Sequence, residues 1–429
     1  MSAKRPQRRG LLGLLGAVGV SLLGTRMSFL ALPWFVLVTT GSATKTGLIA
    51  FAEMAPYVTV QALGGPLVDR LGAWRTSIGT DAVAAICFGA VPALQGVGLL
   101  RLPVLAGLVA LAGAVRGAGD CARNVMVPAV GAAAGLPLER SSGLYDGVNR
   151  IASLVGAPVA GVLVAATSAV SVLAIDAATF AISAALVATL VPRSTEPARD
   201  PDQTPSESSY LSSLAEGFRY LRDDRLLLGI ATMVLITNFV DSAGGTVLYP
   251  VWAREVAHSS VALGLLGGTL GLGAVLGNVV TTALGPRLPR RLTYSVGFLL
   301  AGAPRFLAMA FATSVSPVLA VVFVGGLGAG GINPILGAVE YERVPRHLQA
   351  RVLGAVGAAA WAGIPFGGLA GGAMVTTFGL EAALLAAAVI YGLTTLAPFV
   401  FPVWRQMERQ PRPARQARSA GDQLERAAS

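Results

Sequence analysis

Apolar residues fill this chain in long blocks, and a block of 18 or more predominantly apolar residues is what a helix needs to cross a bilayer. Twelve such blocks are readable, near 11–38, 46–68, 76–100, 103–127, 143–166, 168–191, 226–252, 258–284, 293–313, 316–338, 350–375 and 380–403. Backbone groups in lipid must be satisfied within the segment, and strands of alternating polarity are missing from the pattern, so the spans are expected to be helices. The weakest boundary is the short break at Ser141–Tyr145. Composition agrees: 54% of residues are hydrophobic and 13% charged, against roughly a quarter charged in soluble domains. The basic start and apolar run of Met1–Leu23 resemble a signal peptide, but the apolar segment continues to about Val38, longer than a signal core. It reads as a retained first span.

The net charge of +10 has a topological explanation. Lys and Arg concentrate in alternate loops, at Lys4, Arg5, Arg8, Arg9, Arg70, Arg75 and Arg140, in the central loop, at Arg287, Arg290, Arg291, Arg343, Arg346 and Arg351, and in the tail. The other loops carry only Lys45, Arg101 and Arg254. By the positive-inside rule both termini are expected in the cytoplasm of a protein of the cell inner membrane. Basic residues are not interleaved with aromatic ones, so nucleic acid is not an expected partner.

The expected organisation is a cytoplasmic N-terminus (1–10), a six-helix bundle (11–191), a linker (192–224), a second six-helix bundle (225–403) and an Arg-rich cytoplasmic tail (404–429), which is expected to be disordered and to touch anionic lipid headgroups. The linker begins Pro- and Ser-rich, then carries Leu211, Leu214, Phe218 and Leu221 at helical spacing, the pattern of an amphipathic helix on the cytoplasmic face. The halves resemble each other. GAPVAG at 156–161 recurs as GIPFGG at 363–368, Asn124 has a counterpart in Asn333, and Gly64 and Gly65 correspond to Gly277. Such parallel repeats place a substrate site between halves near the midplane.

GGPLVDRLGAWR, Gly64–Arg75, resembles the loop signature between helices two and three of the major facilitator superfamily, G-x-L-x-D-R-x-G-R-R. Gly65, Leu67, Asp69, Arg70 and Gly72 match, Ala73 and Trp74 replace two basic positions, and Arg75 remains. SLLGTRMSFLALPWFVLVTTGSATKTGLIAF and LAEGFRYLRDDRLLL resemble the branch containing the enterobactin exporter and macrolide efflux proteins. The resemblance implies an all-α membrane protein with the major facilitator fold, about twelve helices in two six-helix pseudo-repeats. It also implies that helices one, four, seven and ten line a central cavity, which would place Arg26, Arg116, Asp120 and Asp241 there. The loop Gly65, Asp69, Arg70, Gly72 and Arg75 would then gate the cytoplasmic mouth, Asp69 facing a helix N-terminus of the other half; the alternative is a solvated turn. Gly143, Gly147, Gly156, Pro158 and Gly161 resemble the antiporter signature of helix five, with Ala157 where a Gly is expected. A kink at Gly156, Pro158 and Gly161 or plain glycine packing would both fit.

Charges inside spans cost at least ~2.5–3.5 kcal/mol at the bilayer centre and so point to function. They are Arg26, Glu53, Asp81, Arg116, Asp120, Arg123, Asp146, Arg150, Asp176, Asp241 and Arg305. Arg116, Asp120 and Arg123 share a helix face, making Asp120 either a proton-sensitive carboxylate between two guanidiniums or part of a permanent salt-bridge cluster. Asp146 and Arg150, four apart, read as a structural pair. Asp241 and Glu53 have no opposite charge nearby on their own helices. A lone carboxylate in lipid suits a proton carrier, so Asp241 ranks first and Glu53 second for proton coupling, unless either pairs with Arg26. Arg26 could alternatively meet an anionic group of the substrate. Trp34 and Tyr249 are further cavity candidates.

Other motifs fail. Gly326–Gly331 fits G-x-G-x-x-G but lies in an apolar span without a βαβ context. Lys45-Thr46 lacks the glycines of a P-loop, so no nucleotide is expected. Cys87, Cys121, His258 and His347 have no ligand spacing, and no cofactor, metal or enzymatic activity is expected. The leading expectation is a monomeric, proton-coupled exporter of a small amphipathic molecule such as a drug, siderophore or secondary metabolite, with protons and membrane lipids as its other partners. A nutrient importer or facilitator, and a receptor or assembly factor that does not transport, are the alternatives.

Overall fold

A computed structural model describes residues 4–193 and 207–408. Glycines and prolines set the helix boundaries. The first helix, α1 (Lys4–Thr40), carries Pro33 inside and stops at Gly41, whose φ of 64° is a conformation other side chains resist. Ser42 then caps α2 (Ala43–Leu63) by accepting from the Lys45 N–H at 3.3 Å. A short helix α3 (Gly65–Leu71) leads through Gly72 (φ 86°) into α4 (Ala73–Gly96). Next come α5 (Leu102–Ala133), α6 (Leu138–Ala166) and α7 (Ala169–Leu190). The break before α6 falls at Gly135 (φ 75°) and Pro137, not at Ser141–Tyr145, which is helical. Pro137 fixes an extended φ of −63° as the capping residue, and the polar Ser141–Tyr145 stretch continues the helix.

The linker expectation over 192–206 falls mostly on 194–206, outside the described residues, as do Met1 to Ala3 and the tail from residue 409. The amphipathic helix exists as α8 (Glu207–Asp223). It is docked on protein: Leu221 is buried with Leu227, Val344, Val352 and Val356, and Gly217 lies against the Arg351 carbonyl. Tyr220 donates to the Arg343 carbonyl at 3.2 Å, and Arg351 pairs with Glu216.

The second half begins with α9 (Arg225–Ala243), capped by Asp224 accepting from Leu226 and Leu227 N–H groups at 3.0 and 3.1 Å. A π turn over Gly244–Leu248 joins it to α10 (Tyr249–Glu255), and α11 (Ser260–Leu284) follows. The remaining crossings are broken: α12 (Arg290–Ala301) and α13 (Ala303–Phe311) at Gly302, then α14 (Val315–Gly330) and α15 (Ile332–Arg343) at Gly331. They end with α16 (Gln349–Trp361), α17 (Ile364–Thr395) and α18 (Ala397–Val400). Among the described residues ten helical segments are long and apolar enough to cross a membrane, the last of them Arg351–Val400 with 50 residues. Non-helical Gly379 (φ 84°, ψ 168°) divides that segment into two crossings. With α2, which Lys45, Glu53 and Gln61 make less apolar, the described residues supply the expected twelve.

Within the first half α1 packs on α6 and α7, α5 on α2 and α4, and α4 on α7. Within the second, α9 packs on α16 and α17, α14 on α11 and α12, and α13 on α17. The halves meet along α2 with α17 and α6 with α11. Both seams are glycine contacts, as expected where lipid offers no hydrophobic drive and close packing must hold helices together. A Cβ on Gly161 would lie 2.9 Å from the Gly264 Cα, and Gly47 faces the Gly368 carbonyl. Gly161 and Gly368 are equivalent positions of the two repeated motifs, so the sequence repeat is the seam itself. These contacts lie in the half of the molecule remote from the chain ends, beside the bond from Thr44 to Thr376 (2.7 Å) and the Arg254 donation to the Leu37 carbonyl (3.0 Å).

Candidate functional site

Helices α2 and α5 run parallel, and their residues pair in register. Glu53 accepts from Arg116 at 2.7 Å, and one turn further Asp120 accepts from the Tyr57 hydroxyl at 3.0 Å. Glycines set this closeness: Gly113 faces the Glu53 carbonyl, and a Cβ on Gly117 would lie 2.6 Å from that of Tyr57. The Arg116 guanidinium also sits 5.1 Å from the Phe29 ring centre and 5.5 Å from that of Tyr57, contacts that favour a desolvated cation. Both Arg116 and Glu53 are buried. The expectation that Glu53 is a lone carboxylate is therefore corrected; its counter-ion comes from another helix 63 residues away. Asp120 is likewise not clasped by two guanidiniums: Arg116 turns to Glu53, and among the described residues Arg123 is the guanidinium that reaches it, at 3.1 Å.

Arg123 ties the first bundle together. It pairs with Asp81 of α4, donates to Ser21 of α1 at 3.3 Å, and Ser183 of α7 donates to Asp81 at 2.6 Å. Asp176 is held by Ser28 and by Thr179, the latter at 3.1 Å. Arg26 donates to Asn149 at 3.2 Å, so it serves neither Glu53 nor Asp241 as counter-ion. Its side chain passes over Gly156, where a Cβ would come 2.5 Å from the Arg26 Cβ. Gly156 thus makes room for Arg26, while Pro158 and Gly161 face Gly268 and Gly264 of α11. Asp146 and Arg150 are exposed and form no ion pair among the described residues, unlike the structural pair their spacing suggests.

In the second bundle Asp241 pairs with Arg305, correcting the expectation of an isolated charge. Arg305 is buried among Phe306, Tyr391 and Tyr249, with ring centres 4.9, 5.6 and 5.9 Å from its guanidinium carbon. Asp241 lies in the last turn of α9, which ends at Ala243 directly before the π turn at Gly244–Leu248, a feature frequent at functional sites. The turn carries Tyr249 onto Phe306, with ring centres 6.0 Å apart. The buried Tyr249 hydroxyl and the Nε atoms of Arg26 and Arg305 have no hydrogen-bond partner among the described residues. Trp34, on α1, is half-buried against the core.

In the signature loop Asp69, Arg70 and Arg75 are exposed, Gly72 needs its positive φ, and the surroundings of Gly65 are open. Trp74, where the family pattern has a basic residue, donates to the Val191 carbonyl at 3.0 Å and lies 4.5 Å from the Arg193 guanidinium. The partners that sequence reasoning missed are Tyr57, Asn149 and the pairings Glu53–Arg116, Asp81–Arg123 and Asp241–Arg305. For the charge pairs the demand that buried charges be neutralised was the one available signal; for the neutral Tyr57 and Asn149 there was none.

The profile of the Major Facilitator Superfamily matches residues 14–260 and 232–427. The multidrug efflux pump Tap of Mycobacterium tuberculosis (strain ATCC 25618 / H37Rv) is 30% identical over 401 residues, covering 93% of this chain and 94% of that protein. The Tap pump of Mycolicibacterium fortuitum is 27% identical over 410 residues, covering 95% and 99%. Among solved structures, a mutant of the nucleoside transporter NupG superposes with a TM-score of 0.76 at 14% identity, covering 91% of this chain and 98% of that one. A bacterial homologue of the human lysosomal transporter Spinster gives 0.69 at 13%, covering 95% and 99%. Two six-helix bundles joined through repeated glycine motifs, matched across nearly the whole chain, show that this protein belongs to the Major Facilitator Superfamily of secondary transporters.

Proposed function

We propose that the chain is a proton-coupled exporter of small amphipathic molecules, working by alternating access with Asp241 as its first proton site. The observation that carries this reading is the asymmetry of the Asp241–Arg305 pair: the Arg305 side chain is 6% exposed and that of Asp241 40%. A proton can reach the carboxylate and release the guanidinium, which is then free to change partners as the bundles rock. Glu53 is the second candidate, sealed at 6% beside Arg116, and Asp120 the third.

The Lys and Arg bias makes the side of the chain ends the cytoplasm, in the inner membrane. The glycine seams then close the outer side, and the carrier waits for substrate from within. Arg26, Arg116, Trp34 and Tyr249 contribute to the substrate cavity, the aromatic rings accepting apolar or cationic groups. Asp69, Arg70 and Arg75 form their closing contacts in the opposite, outward-open state, with Gly65 and Gly72 shaping the loop. Efflux as the direction draws support from the named activity of the relatives.

Inside-out proteoliposomes loaded with a proton gradient test the direction, with the dye ethidium as probe. An acidic lumen should drive dye inward against its gradient, and an alkaline lumen should not. Accumulation driven by an alkaline lumen, or equal in both cases, contradicts proton-exchange export.

A further inference from the structure

Outside the bundle interior, a cavity of about 520 Å³ opens between α2, α4 and α5 near the short helix α3. That volume lies in the ~300–1,000 Å³ range of ligand pockets. Its floor on α5 is Ala114 and Ala118. At about 3.6 residues per turn these point away from Arg116 and Arg123, which face the bundle centre. The groove therefore opens outward, toward lipid. Val60 and Val83 form opposite walls, and Gly79 leaves open space beside them. The hydroxyls of Thr76 and Thr80 are turned onto their own helix, donating to the Gly72 and Thr76 carbonyls at 2.8 Å each.

Two guanidiniums, Arg70 and Arg75, line one end of the groove, and none of the described residues that line it is acidic. Leu67 and Leu71 flank that end, 46% and 51% exposed. The combination is an apolar slot at membrane depth with a positive mouth where α3 meets the chain-end side of the bilayer. A soluble anion would gain nothing from the slot, and an uncharged lipid nothing from the mouth. We propose that this groove binds one diacyl phospholipid with an anionic headgroup, its phosphate at Arg70 and Arg75 and an acyl chain over Ala114 and Ala118.

Native mass spectrometry of the delipidated full chain, titrated with phosphatidylglycerol or phosphatidylcholine, tests this. One phosphatidylglycerol should bind preferentially, and Arg75→Gln should weaken it about fivefold, the effect of one basic residue at an anionic surface. Gly79→Leu, which fills the slot from a position with free space, should remove that adduct while the melting temperature is kept. Should Gly79→Leu fail to fold, Arg75→Gln decides alone. Equal binding of both lipids, unchanged phosphatidylglycerol binding in Arg75→Gln, or displacement of the lipid by excess inorganic phosphate or by ethidium would overturn the proposal.

Discussion

Asp241 keeps 40% of its side chain exposed although Arg305, the guanidinium it pairs with, is buried to 6%. Its counterpart in the first bundle, Glu53 with Arg116, is closed on both sides. In the same conformation the Asp241–Arg305 pair is therefore reachable and the Glu53–Arg116 pair sealed. Truncating one partner of a buried pair strands a charge, at a cost of about 3–5 kcal/mol, so a proton that neutralises Asp241 has leverage over the packing of Arg305.

The seams make a conformational prediction. Adding a methyl to Gly161 places it 2.8 Å from the Ser260 carbonyl and 2.9 Å from Gly264. Overpacking of this kind costs about 1–3 kcal/mol, or roughly 5- to 150-fold in population. Gly161→Ala should shift the carrier toward the state open on the side remote from the chain ends. The reaction of a maleimide with Ala43→Cys, a buried position whose carbonyl faces Gly372 across the seam, should accelerate accordingly; an unchanged rate would mean that the seam does not hold that side shut.

A different outcome is expected at the centre of the first bundle. Asp81 neutralises Arg123, which also holds Ser21 and Asp120. Asp81→Ala should lower the melting temperature in detergent steeply, by the equivalent of about 3–5 kcal/mol. Asp120→Asn leaves Arg123 its Asp81 partner and should cost clearly less.

Linker docking can be read by proteolysis. Glu216 and Arg351 are each 43% exposed, so Glu216→Gln should change stability by no more than about 1 kcal/mol. Gly217 abuts the Arg351 carbonyl with no space for a side chain. Gly217→Val should lift α8 from α16 and speed tryptic cleavage at Arg219 and Arg222, which Glu216→Gln should not.

Much of this architecture was legible in the residues because lipid permits few solutions. Long apolar blocks marked the crossings, and the repeat of GAPVAG as GIPFGG marked where bundles meet. Breaks inside crossings were less visible. Gly302 and Gly331 sit in apolar runs, and only the structure shows that a side chain at 302 would enter the Tyr391 ring. Charge pairing was the least legible. Spacing along one helix suggested Arg116 with Asp120 and Asp146 with Arg150, whereas pairing across helices joined Glu53 to Arg116 and Asp241 to Arg305. Period and spacing report on one helix at a time, while neutralisation of a buried charge is settled between helices.

Substrate-induced proton movement in proteoliposomes, measured with a lumenal pH dye for wild type and Asp241→Asn side by side, tests the central claim most directly. Proton-coupled export through Asp241 predicts proton release on adding ethidium to wild type and none in the variant, with dye binding retained. Proton release that persists in Asp241→Asn would contradict the assignment and move coupling to Glu53 or Asp120. Dye transport by wild type with no proton movement would contradict the antiport mechanism altogether.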